Sequence, residues 1–152
     1  MAGAALALAQ DRDESYAARA DARTQAARGP SAPVSPAAMA QPVAQWKALQ
    51  QSDSLPFDSY ASFLLAHPGW PGETGFRRAA ERQAAGGSGS PSSLVTFFRR
   101  YPPQTAASSL AYARALAASG AMNEAYEAAR TAWRRGALAP ADEAALLQQF
   151  GG

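Results

Sequence analysis

Apolar residues recur at helical spacing along most of the chain. Val43, Trp46, Leu49 and Gln50 mark a short helix with one apolar stripe. Phe57, Tyr60, Ala61 and Leu64 fall at i, i+3, i+4 and i+7, one face of the next. Leu94, Phe97, Phe98 and Tyr101 form a strong apolar face. Leu110, Ala113, Leu116 and Ala117 form another. A further helix carries Ala125, Ala128, Ala129, Ala132 and Trp133, and the last turns Leu146, Leu147 and Phe150 inward. No alternating β-branched run suggests a strand.

The residues between these stripes are helix punctuation. His67-Pro68-Gly69-Trp70-Pro71 joins two helices. Pro68 drives His67 out of the helical region, Gly69 can take positive φ, and Pro71 suits a first helical position. A helix over 71–85 is predicted, with Trp70 as an apolar wedge. Pro56 opens one helix. Ser90 caps another that Pro91 begins, and Thr105 and Asn123 cap two more. Gly120 and Gly136 end helices, and Pro140 opens the last, with Asp142 and Glu143 in its first turn. Gly86 to Ser90 reads as a flexible connection. It lacks the Gly-Lys-Ser/Thr ending and the preceding strand of a phosphate loop.

The N-terminal part is different. Residues 1–10 (MAGAALALAQ) end in an A-x-A pattern and read as a signal-peptide remnant or a disordered start. Ten residues are too few to span a membrane, which takes about 20. Asp11 to Arg28 mixes acids, arginines and alanines around one sizeable apolar residue, Tyr16. Gly29 to Pro42 has linker composition, with four prolines. Residues 11–42 are therefore expected to be flexible and 43–152 to fold.

Composition removes whole classes of chemistry. The chain of 152 residues has no cysteine and one histidine, which excludes thiol chemistry and leaves no His-based metal site. No cofactor is expected. The formal charge of +2 is too small to argue for nucleic acid. From Arg77 to Arg135 nine Arg stand against three Glu, which reads as a solvated basic face. No catalytic constellation emerges. Asp142 and Glu143 are adjacent, so on a helix they point about 100° apart. Phe63, Phe97, Phe98 and Trp133 could stack on sugar rings, but their spacing reads as core. His67 reads as a turn residue packed on an aromatic neighbour. No catalytic residue is assigned.

Helix pairs open near Pro56, Pro91 and Asn123, spacings of 35 and 32 residues. That is the period of helix-turn-helix solenoids, whose units bury their faces by stacking. Tyr112-Ala113-Arg114-Ala115-Leu116, Gly120, Glu124-Ala125, Ala128 and Trp133 resemble a tetratricopeptide-type unit, with small residues at 113, 120 and 125 where two helices cross closely. The predicted fold is all-α, a right-handed helix-turn-helix superhelix.

Three blocks carry a further resemblance: FLLAHPGWPGETGFRRAAE (63–81), FFRRYPPQT (97–105), and AYARAL…G…EAYEAARTAWRRGAL (111–138). Together they resemble the N-terminal α-superhelical region of soluble lytic murein transglycosylases of alphaproteobacteria, over about Val43 to Phe150. The resemblance implies a periplasmic protein of peptidoglycan metabolism, whose family cleaves MurNAc–GlcNAc β-1,4 bonds to 1,6-anhydro products. It implies too that this chain is the scaffold, inactive alone. The family's chemistry sits in a separate C-terminal domain with a catalytic Glu followed by Ser. The one Glu-Ser pair here, Glu14-Ser15, lies in a charged stretch without the apolar pocket an acid catalyst needs. The implied partners are glycan strands or the catalytic domain. The alternative reading is a tetratricopeptide-like adaptor for protein partners.

The last helix is roughly half apolar. An exposed patch around Leu146, Leu147 or Phe150 is expected there, with self-association through it. In the family the next superhelical pair would cover it.

Overall fold

The computed structural model describes residues 35–152. Glu14 and the expected signal-peptide remnant lie outside the described residues. Seven helices follow: α1 (Pro36–Gln51), α2 (Phe57–Ala66), α3 (Glu73–Ala85), α4 (Pro91–Arg100), α5 (Ala106–Ala118), α6 (Met122–Arg135) and α7 (Pro140–Phe150). The fold is all-α, and no strand occurs among the described residues. Gln41–Gly152 form one compact unit.

Helices pack on near neighbours in chain order. α2 lies on α3 and α4, α3 on α5, α4 on α5, α5 on α6, and α7 on both α5 and α6. That pattern is compatible with a helical-repeat architecture. α2, α4 and α6 begin at Phe57, Pro91 and Met122, spacings of 34 and 31 residues. The core follows the predicted stripes. Phe57, Tyr60, Leu64, Phe97, Phe98, Leu110 and Leu116 are essentially sealed from solvent. Burying side chains of this size contributes about 1.5–3 kcal/mol each. α5 and α6 make the most extensive helix–helix contact, through the buried small residues Ala113, Ala125, Ala129 and Ala132.

Several caps form as the sequence predicts. Ser90 Oγ accepts from Ser93 N at 3.2 Å, with Pro91 at the first helical position. Thr105 and Ser108 form a reciprocal capping box. Gly120, at φ 81°, closes α5: Ala121 N donates to Leu116 O and Gly120 N to Ala117 O.

Four local expectations are corrected. α1 starts at Pro36 and runs through Pro42, so the end of the expected linker is helical. Pro42 removes one bond near the start of the helix. The carbonyl it leaves free belongs to exposed Ala38, within reach of water. α3 begins at Glu73, with Gly72 in left-handed conformation before it, because the turn from Pro68 takes in Pro71 as well. Asn123 caps nothing. Only three residues separate α5 from α6, and Ala121 serves both helix ends.

The fourth is the glycine-rich connection after α3, which is built rather than flexible. Gly87 N donates to Ala84 O and Ser88 N to Gln83 O, closing the helix. Ser88 Oγ then accepts from Phe57 N at 3.0 Å. Gly89, at φ 97°, lies against the buried Phe57 ring.

Candidate functional site

The turn His67–Gly72 holds an aromatic cluster. His67 leaves the helical region at φ −132° and Gly69 takes φ 80°, as the Pro68 and Gly69 chemistry dictates. Gly69 N donates to Glu73 Oε2 at 2.7 Å, which ties the turn to the first residue of α3. Trp70 meets Phe63 edge-on at 5.4 Å and His67 at 5.2 Å. Trp46 on α1 packs on Trp70 at 6.5 Å and donates its indole N–H to Pro71 O at 2.7 Å. Trp70 is half-buried. It is a clamp on the surface of the stack rather than a sealed wedge. His67 sits between Phe63 and Trp70, the packed turn residue expected.

A second junction is absent from the apolar pattern. Glu81 on α3 is buried, and its Oε2 accepts from Gln104 N at 3.0 Å and from Ser108 Oγ at 2.7 Å. A carboxylate thus closes the start of α5, where backbone N–H groups lack helical partners. Gln104 O accepts from Arg135 Nη1 at 2.7 Å. One residue between α4 and α5 therefore ties α3 to the end of α6. Tyr101 OH reaches back to Leu64 O at 3.1 Å.

Between α5, α6 and the Pro102-Pro103 turn runs an open groove of about 480 Å³. Tyr112, Leu116 and Ala128 give it an apolar floor, and Glu124 and Glu127 stand on its rim. Arg99 donates to both oxygens of Glu124 at 3.2 Å. That hydrogen bond, the Glu124 charge and the Tyr112 hydroxyl hold the Arg99 guanidinium above its ordinary pKa. Glu127 pairs with Arg130, and the pairs are exposed. Exposed pairs exchange partners at little cost, so the rim can meet polar ligands.

The basic face is thus partly neutralised by its own acids. Arg82 lies by Asp53 at 3.5 Å and Arg114 by Asp142 at 3.8 Å. Asp142 and Glu143 occupy the first turn of α7. Of the aromatics considered for sugar stacking, Phe63, Phe97 and Phe98 are core, but Trp133 is 49% exposed. The expectation that it packs inward is corrected, because no described helix covers that side of α6. Leu147 is exposed as well, whereas Leu146 and Phe150 are buried, so of the three residues expected in the C-terminal patch only Leu147 is exposed. Among the described residues no group of three His, Asp or Glu is placed to hold a metal ion. No described helix is long and apolar enough to cross a membrane. No protein family, curated protein or solved structure matches the chain.

Proposed function

We propose that this chain is the non-catalytic helical scaffold of a periplasmic peptidoglycan lytic transglycosylase, shaping the protein around glycan strands. One observation supports the reading above others. The three blocks that carry the resemblance are joined by side-chain bonds into one unit. Glu81 of the first block and Arg135 of the third bond the N–H and the carbonyl of Gln104 in the second. Tyr101 of the second bonds Leu64 of the first. The blocks are thus joined in one folded unit. Cosedimentation with purified sacculi tests the proposal. The chain should pellet with sacculi and release no anhydro-muropeptides. Failure to pellet at low ionic strength rejects the glycan scaffold, and release of such products rejects the non-catalytic part.

A second reading is a tetratricopeptide-like adaptor, favoured by the α5/α6 groove with its apolar floor and charged rim. Binding to a protein partner that Tyr112→Ala abolishes, with no affinity for sacculi, would favour it.

A further inference from the structure

Three of the large apolar side chains left exposed lie on one surface. Tyr126 is 39% exposed, Trp133 49% and Leu147 51%. They line an open groove between α6 and α7, floored by buried Leu146 and Phe150. A later helix lies on one side of several earlier pairs, although the α5/α6 pair keeps its own open groove on the side of the Pro102-Pro103 turn. α4 lies on α2 and α5 on α3, and α7 lies on both α5 and α6. The α6/α7 groove has no such cover among the described residues.

The surface carries both halves of a complementary contact. On α6, Arg134 stands beside Trp133 at the groove wall, and no acidic group pairs with it among the described residues. Its neighbour Arg130 is already held by Glu127 at 2.6 Å. On α7, Glu143 is exposed one turn before Leu147, so the two share a helix face. No basic group pairs with Glu143 among the described residues. An apolar side chain with an acid one turn away would complement the groove, and Leu147 with Glu143 on α7 forms such a pair.

We propose that this face binds a second copy of the chain about a two-fold axis. Leu147 of each copy enters the Tyr126–Trp133 groove of the other, and Glu143 of each meets Arg134 of the other. A two-fold contact uses the same patch twice, so one geometry satisfies both sets of groups. Both charges stand at the edge of an apolar contact, where they select the pairing more than they strengthen it.

Sedimentation equilibrium of the full chain tests the proposal. The mass should rise with concentration from 15.8 kDa towards twice that value. Leu147→Glu should abolish the rise and leave the thermal melt unchanged at dilutions where the wild type is monomeric, since the residue is exposed. Glu143→Arg and Arg134→Glu should each weaken association at least tenfold, and the double variant should restore it. A monomer at every concentration up to the solubility limit overturns the proposal. So does a dimer that Leu147→Glu leaves intact, or a double variant no better than the single ones.

Discussion

Ser108 Oγ donates to the Glu81 carboxylate at 2.7 Å, across the contact of α5 with α3. Both residues are buried, and 27 positions separate them. Truncating Glu81 to Ala leaves the part-buried Gln104 N–H without its partner, and leaves the Ser108 hydroxyl with only Thr105 to bond. A stranded buried group costs about 1–3 kcal/mol. Glu81→Ala should therefore lower unfolding free energy by about 1–3 kcal/mol in urea titration. Ser108→Ala should cost less, because Gln104 N still satisfies the carboxylate. Equal midpoints for wild type and Glu81→Ala would mean that the junction is not closed in solution.

Gly89 and Gly87 make a matched pair. Both have positive φ, 97° and 91°. A Cβ at Gly87 meets nothing within 4 Å, whereas one at Gly89 falls 2.6 Å from Phe57 Cδ1. Phe57 cannot yield, since its ring is sealed and abuts Phe97 at 5.3 Å. Gly87→Ala should cost about 1–2 kcal/mol, the backbone term alone. Gly89→Ala should add about 1–3 kcal/mol of overpacking to that. Thermal melts of the two variants decide it, and coincident curves would contradict the close approach.

Trp70 and Phe97 separate a clamp from a core residue. Phe97 is fully buried, so Phe97→Ala should cost about 3–5 kcal/mol. Trp70 is half-buried. Trp70→Ala should therefore cost about 1.5–2.5 kcal/mol, half the core figure. Trp46→Phe removes the bond to Pro71 O and part of the ring packed on Trp70, so it should cost at least about 0.5–1.5 kcal/mol. Trp70→Ala matching Phe97→Ala in chemical denaturation would show that Trp70 carries the core after all.

Local chemistry was legible in the sequence, and coverage was not. Ser90, Thr105 and Gly120 act through bonds within a few residues and are assigned by type, whereas Asn123 offers the same type and caps nothing, because Ala121 already closes the short turn. Helical periodicity placed Phe57 and Trp133 equally well on faces. It does not say whether another helix arrives to cover a face, and for Trp133 none does among the described residues. Glu81 reads as one more solvated charge, because its partner lies a helix and two turns further along the chain. Gly89 reads as slack for the same reason: the ring it makes room for is Phe57, from another helix.

The helix-closing turn at Gly120 has a consequence for how the chain folds. Three residues separate α5 from α6, so their contacts form over short loops with a small closure entropy. The bond from Tyr101 to Leu64 spans 37 residues and that from Arg135 to Gln104 spans 31. Contacts of low sequence separation cost the least closure entropy, so we expect the α5–α6 hairpin to form in the folding nucleus. Destabilising substitutions at Leu116 or Ala125 should then slow refolding. Substitutions at Tyr101 should mainly speed unfolding.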